Sequence, residues 1–184
     1  MRRGKPRKRK LKGKKEHVAA NGLTHTKIIE HSRKVLKRAG MMWKCGVTFA
    51  ELSTAVSETP DVLGFYSGGA SLIEAKASRS DFLGDKKKYF RKHPEMGMGN
   101  YRFYACPSGL IKEEEIPDKW GLIYVSEKGR CTLKKKPVWQ ESRKSAEHMF
   151  MYSVLRRIIL YHNSSEIEKF IKKHSDYAER QKNI

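Results

Sequence analysis

The sequence predicts an α/β fold, and three observations lead to it. Two strand-like runs, Asp61-Val62-Leu63-Gly64-Phe65-Tyr66 and Ser71-Leu72-Ile73-Glu74-Ala75-Lys76-Ala77, flank the Ser67-Gly68-Gly69-Ala70 turn and read as a β-hairpin. Segments of helical spacing lie on both sides of that hairpin. Further strand-like runs follow at 101–106, 120–125 and 131–134 before the chain turns helical again. Helices interspersed with strands in this order build a mixed sheet flanked by helices.

The first helix is expected from Leu23 to Ala39, where Ile28, Ile29, Val35 and Leu36 recur near the helical period. Thr24 or Thr26 can cap its start and Gly40 its end. Cys45 to Leu52 reads as the first strand, with Val47 and Phe49 alternating against polar neighbours. Glu58-Thr59-Pro60 turns the chain into the hairpin. If Gly68 and Gly69 are its two loop residues, opposed positions sum to 137, which sets Asp61 across from Lys76 and Glu74 across from Leu63. Opposed residues share a face, so Asp61, Glu74 and Lys76 would project together.

Beyond Lys76 a second helix is expected, capped by Ser78 or Ser80, with Phe82, Lys86, Tyr89 and Phe90 at helical spacing. Its aromatic pair Tyr89-Phe90 would pack on the sheet, and His93-Pro94 would end it. Asp81, Asp85 and Lys86-Lys87-Lys88 would line the rim of the same site. Gly97-Met98-Gly99-Asn100 reads as a flexible loop before the strand Tyr101–Cys106, not as a phosphate cradle, because it precedes a strand and lacks Lys-Ser/Thr. A helix from Ser142 to Tyr161 carries an apolar stripe of Met151, Leu155, Ile158 and Ile159, expected to pack on the sheet, with a dimer face as the alternative. A shorter charged helix holding Ile167, Phe170 and Ile171 closes the chain.

Composition narrows the function classes. The chain has 184 residues, with 40 Lys and Arg against 20 Asp and Glu, a formal net charge of +20. Ten basic residues and one acidic residue, Glu16, fall in the first sixteen positions. That leaves +9 in this segment and +11 in the remainder. Residues 1–17 therefore read as a disordered basic arm and 18–184 as one domain. The arm, through Arg2, Arg3, Arg7, Lys8, Arg9 and Lys10, would follow a polyanion by releasing counterions from phosphates. No run approaches a membrane span, and no signal peptide is visible. Cys45, Cys106 and Cys131 are odd in number and far apart, which argues for a reducing compartment. No Cys/His spacing suggests zinc.

Residue chemistry is most specific around the hairpin. Phosphodiester hydrolysis builds negative charge on phosphoryl oxygens and needs a hydroxide-like nucleophile. Two carboxylates, Asp61 and Glu74, suit Mg²⁺ or Mn²⁺. An amine such as Lys76 can orient or deprotonate the attacking water, or neutralise developing charge. The Ala75 carbonyl could add a further ligand.

With Pro60-Asp61 followed by Glu74-Ala75-Lys76, the chain resembles the PD-(D/E)XK nuclease superfamily. The run Ile73-Glu74-Ala75-Lys76-Ala77-Ser78-Arg79-Ser80-Asp81-Phe82 is most similar to bacterial and phage nuclease-like DNA-repair proteins of the MmcB type. The resemblance covers about residues 23–126. It implies a restriction-endonuclease-like αβββαβ core, here with additional C-terminal strands and helices and a C-terminal helical extension over 141–182. It further implies Mg²⁺ or Mn²⁺ held by Asp61 and Glu74, Lys76 as the catalytic lysine, and Glu30 or Glu51 completing the metal shell. Ser78, Arg79 or Lys87 would hold the scissile phosphate. The activity expected is a metal-dependent, endonucleolytic DNA nuclease in the cytoplasm of a bacterium or phage-infected host, with RNA a second polyanion to consider. Paired cuts would suit a homodimer. The alternatives are a noncatalytic DNA- or RNA-binding protein with a decayed nuclease site, and a basic interaction or virion-associated protein.

Overall fold

The computed structural model describes residues 22–54, 56 and 58–180, with side chains through Lys173. The basic arm 1–17 lies outside the described residues. The fold is α/β: one six-stranded mixed sheet flanked by helices. In chain order the elements are α1 (His25–Arg33), β1 (Val47–Ala50), β2 (Val62–Tyr66), β3 (Gly69–Ala75), α2 (Arg79–Asp85), α3 (Tyr89–Lys92), β4 (Tyr101–Pro107), β5 (Gly121–Val125), β6 (Cys131–Lys135), α4 (Lys144–Tyr161) and α5 (Ser164–Arg180). Strand order in space follows the sequence. The β1–β2, β2–β3 and β5–β6 pairs are antiparallel, and β3, β4 and β5 run parallel. The carboxyl ends of three strands thus meet at one end of the sheet.

Strand alternation divides the core in two. Val62, Ile73, Ala75, Phe103, Ala105, Ile123 and Val125 face α1, where Ile28, Ile29, Val35 and Leu36 cover them together with Trp43. Leu63, Leu72, Tyr104, Cys106 and Leu122 face the other way, onto Phe82 of α2 and Phe150 and Val154 of α4. Thr24 is the N-cap of α1, accepting from the Lys27 amide, and the helix tightens into a 3-10 turn over Lys34–Lys37 instead of running to Ala39.

The hairpin register differs from the sequence expectation. Tyr66 pairs with Gly69 and Val62 with Ile73, so opposed residues sum to 135 and Ser67-Gly68 form the loop. Gly69 is needed at a paired position because a Cβ there would run into the Asn100 carboxamide. The shift is two residues, so each side chain keeps its face. Its effect is to set Asp61 level with Glu74 instead of Lys76.

Three further expectations are corrected. The second helix breaks after Asp85 and restarts at Tyr89, with Lys88 in extended geometry as the N-cap of α3. Tyr89 is exposed, and Phe82, edge-on to Tyr104 at 5.2 Å, supplies the aromatic contact with the sheet. The Gly97–Asn100 segment is buried and pinned: Glu58 accepts from the Met98 amide at 2.6 Å and Glu147 from the Gly99 amide at 2.9 Å. Arg102 fastens the same segment by donating to the carbonyls of Pro94, Gly97, Gly99 and Glu141. On α4 the buried positions are Ala146, Glu147, Phe150 and Val154, whereas Leu155, Ile158 and Ile159 are exposed. The helix meets the sheet only as far as Val154. Among the described residues no helix is long and apolar enough to cross a membrane, and the three cysteines are free.

Candidate functional site

Glu74 and Lys76 emerge at the carboxyl end of β3, two residues apart and therefore on one face. Both are buried, and the Lys76 ammonium lies 3.2 Å from Glu74 Oε2. The Lys76 amide donates to the Ala105 carbonyl, which extends the β3–β4 ladder just far enough to fix the lysine. Asp61 stands at the entry to β2. Its Oδ2 accepts from the Ala75 amide at 2.8 Å and lies 3.3 Å from His25 Nε2, in the first turn of α1. The aspartate is thus tied to the strand that carries Glu74 and Lys76.

Around this pair the protein assembles a buried charge cluster. Asp85, at the last turn of α2, takes Lys76 at 3.2 Å, Lys88 at 2.7 Å, Arg91 at 2.7 Å and the Tyr104 hydroxyl at 2.7 Å. Arg91, on α3, reaches Glu74 at 3.1 Å and Glu58 at 3.4 Å, and its guanidinium stacks 4.7 Å over Trp120. Lys88 touches Glu74 at 3.5 Å. Lys88 reaches Asp85 across one turn, and the restart at α3 carries Arg91 to the same carboxylate. Glu58, Glu74 and Asp85 carry three negative charges, and Lys76, Lys88 and Arg91 three positive ones. Five of these six side chains are nearly inaccessible, while Lys88 is 51% exposed.

The electrostatics follow from the packing. Burial alone would lower the Lys76 ammonium, but Glu74, Asp85, Asp81 and Asp61 outweigh it and raise its pKa, so the amine stays charged at neutral pH. Burial would raise the Asp85 carboxyl, yet Arg91 and Lys76 hold it well below the usual carboxylate range. Burial does raise Glu58, against the opposing pull of the Met98 amide and Arg91. Asp61 is pulled down by His25 and Lys76 in spite of its burial, and His25 is raised by its hydrogen bond to Asp61.

Asp61 and Glu74 are hard oxygen donors level on adjacent strands, and Mg²⁺ commonly takes one or two carboxylates and keeps several waters. In that respect the donor set fits a divalent cation. Among the described residues no group of three His, Cys, Asp or Glu is gathered as a ligand set. Both Glu74 oxygens hold protein cations, so an entering metal would have to displace one, and Lys88 is the exposed one. Glu30 sits on the exposed face of α1. Glu51 is exposed, adopts φ 48°, and donates its amide to the Asp61 carbonyl at 2.9 Å.

Of the phosphate-holding candidates, Ser78 caps α2 by accepting from the Asp81 amide. Arg79 is engaged by Glu115 and lowers that carboxylate to about 2. Lys87 is exposed. Arg2, Arg3, Arg7, Lys8, Arg9 and Lys10 lie outside the described residues. Sequence reasoning missed Glu58, Arg91, Tyr104 and His25 as members of the cluster and left Asp85 on its rim. Only Asp85 carried a signal, one helical turn beyond Asp81 on a face already assigned to the site.

No protein-family model matches the sequence, and no curated protein matches it. A solved structure, the SPO1766 protein of unknown function from Silicibacter pomeroyi, is similar at a TM-score of 0.50 and 21% identity, covering 84% of this chain and 96% of that one. At that identity the likeness speaks to the fold, and the α/β architecture is what the two chains share.

Proposed function

We propose that the chain is a metal-dependent nuclease of the PD-(D/E)XK type that hydrolyses phosphodiester bonds in DNA, cutting within the strand. The observation that carries this reading is the buried Lys76 ammonium, 3.2 Å from Glu74 at the carboxyl end of β3, with Asp61 bound to the intervening Ala75 amide. Asp61 and Glu74 would hold Mg²⁺ or Mn²⁺, and the bound cation would polarise the phosphate and lower the pKa of its water. Lys76 is kept protonated by four carboxylates, so its role is to orient the nucleophile and offset charge on the phosphoryl oxygens. Asp85, itself held by the Tyr104 hydroxyl, pairs with the lysine. The net charge of +20 suits a polyanionic substrate.

One observation favours a second reading, a DNA- or RNA-binding protein whose nuclease site no longer turns over. The cluster around Glu74 is already neutral with protein charges alone. Plasmid nicking with Mg²⁺ or Mn²⁺, with and without EDTA, separates the two. The nuclease reading expects EDTA-sensitive nicking that Lys76→Ala and Glu74→Gln each reduce by at least about 10²-fold, the scale of one lost charge-stabilising group. Duplex binding that persists while linear, flapped, branched and single-stranded substrates all stay intact would establish the binder.

A further inference from the structure

A cleft of about 460 Å³ lies between α1 and the β5–β6 turn, lined by His31, Lys34, Arg38, Gly129, Arg130 and Cys131. Four of its six lining residues are basic and none is acidic. Among the described residues, Lys34, Arg38 and Arg130 form no ion pair with a carboxylate. The cations of the buried cluster, by contrast, are all neutralised. The cleft is also built: Arg38 donates to the Cys131 carbonyl at 2.9 Å, and Gly129, at φ 77°, packs so closely on the His31 ring that a Cβ there would overlap it. Lys34 and Arg130 remain exposed, and among the described residues no side-chain hydrogen bond holds them back.

Its position is the second observation. The β5–β6 turn follows the carboxyl end of β5, and Glu74 and Lys76 sit at the carboxyl end of the parallel strand β3. Ligands of open α/β sheets bind outside these strand ends. α1 links the two places, with His25 against Asp61 and His31 against Gly129. His25 and His31 lie six residues apart on α1, about 9 Å at 1.5 Å per residue, a span of about three nucleotides at about 3.4 Å of axial rise each.

We propose that His31, Lys34, Arg38 and Arg130 form an anchoring site for the nucleic-acid phosphodiester backbone, flanking the point of cleavage. The proposal deepens the nuclease reading by naming what holds the substrate, and it rests on that reading for the substrate class. A cleft of unpaired cations positions a backbone without reading its bases, and each phosphate it neutralises adds to the salt dependence of binding.

The test is fluorescence anisotropy on the full chain with a labelled duplex of about two helical turns, titrated in EDTA across a salt series, so that no catalysis is needed. Lys34→Gln/Arg130→Gln removes two exposed charges, and Lys169→Gln/Lys173→Gln on α5 removes the same number elsewhere. The cleft pair is expected to weaken binding several-fold and flatten the log–log salt slope by about 1.8, at about 0.9 per lost phosphate contact. The α5 pair should change the slope by less than half as much, and Lys34→Arg/Arg130→Lys should retain the slope of the unmodified chain. Equal losses from the cleft and α5 pairs overturn the anchoring site while leaving the nuclease reading to the nicking assay. Absence of duplex binding by the unmodified chain overturns both. A cleft-specific loss in a protein that never nicks DNA supports the anchoring site and removes only the catalytic reading.

Discussion

The carboxyl end of β3 and the second half of α4 invert the usual distribution of residues in opposite directions. At β3 the chain buries three carboxylates and two cations, with a third cation, Lys88, at the mouth. On α4 it exposes Leu155, Ile158, Ile159, Leu160 and Tyr161. Charged groups are seldom buried unless paired, and large apolar patches are seldom left open. A buried ion network is weak support for stability, because desolvation can exceed the Coulombic gain and a packed apolar substitute often does as well. Stability alone is thus a weak account of the β3 cluster, and the proposed role of Glu74 and Lys76 would supply another. The α4 stripe carries the converse lesson, that helical periodicity reports the composition of a face and leaves open which neighbour covers it.

Arg91→Met is the strongest way to break the comparison. It leaves Glu58, Glu74 and Asp85 short of their shared cation and removes the contact with Trp120. Removing one partner of a buried ion pair typically costs about 3–5 kcal/mol, and urea denaturation at neutral pH should show a loss in that range. A loss below about 1 kcal/mol would mean that these carboxylates are hydrated, and the contrast with α4 would collapse.

The two halves of α4 can be set against each other in the same way. Phe150 is 1% exposed and packs against Phe49 and Phe65 with ring centroids 5.7 and 5.9 Å apart, whereas Leu155 is 53% exposed. Phe150→Ala should cost about 3–5 kcal/mol, the usual result for a large core aromatic. Leu155→Ala should stay within about 0.5 kcal/mol, as surface substitutions do. A large loss from Leu155→Ala would show that the stripe is covered in solution.

Local patterns were legible and long-range pairings were not. Thr24 and Ser78 could be read as helix caps because a cap depends on residues three apart, and the hairpin because its turn and alternation lie within one short stretch. The register was off by two residues because Asn100, about thirty positions away, decides where a glycine is required. The Glu74-Ala75-Lys76 triplet lies at the strand end where the buried charges gather. Arg91, Glu58 and His25 gave no local sign, since their partners come from elements that only the fold brings together. The stripe on α4 misled for the same reason: Phe150 and Val154 meet the sheet and Leu155 does not, although all are apolar.

A smaller effect sharpens the comparison at the mouth of the cluster. His25 is raised above its ordinary 6.5 by its hydrogen bond to Asp61 and by the charges of Asp61, Asp81 and Glu51, while Asp61 is lowered below its ordinary 3.8. The histidine's contribution is present in full below about pH 6.5 and fades as pH rises through its folded value. That of Asp61 is present above about pH 3.8 and fades as pH falls through its folded value. The pair should therefore stabilise most between about pH 4 and 6.5. His25→Gln should cost about 1 kcal/mol at pH 5.5, since both groups are partly exposed, and less at pH 8.5. A cost that grows with pH would place the proton elsewhere.

Lys88→Met should have only a small effect on stability and still discriminate most finely. Its ammonium touches Asp85 at 2.7 Å and Glu74 at 3.5 Å, but half of the side chain is in solvent, so its loss should cost within about 1 kcal/mol. Electrostatically the substitution does more, because it leaves the cluster one positive charge short beside Glu74. If that carboxylate takes a divalent cation, Lys88 competes for the same oxygen, and Lys88→Met should tighten Mn²⁺ binding by roughly tenfold, about 1.4 kcal/mol, read by electron paramagnetic resonance of free Mn²⁺. Glu74→Gln should abolish that binding in either background. Weaker Mn²⁺ binding in Lys88→Met would mean that the lysine supports the site instead of competing for it, and the buried charges would then serve the fold as Phe150 does.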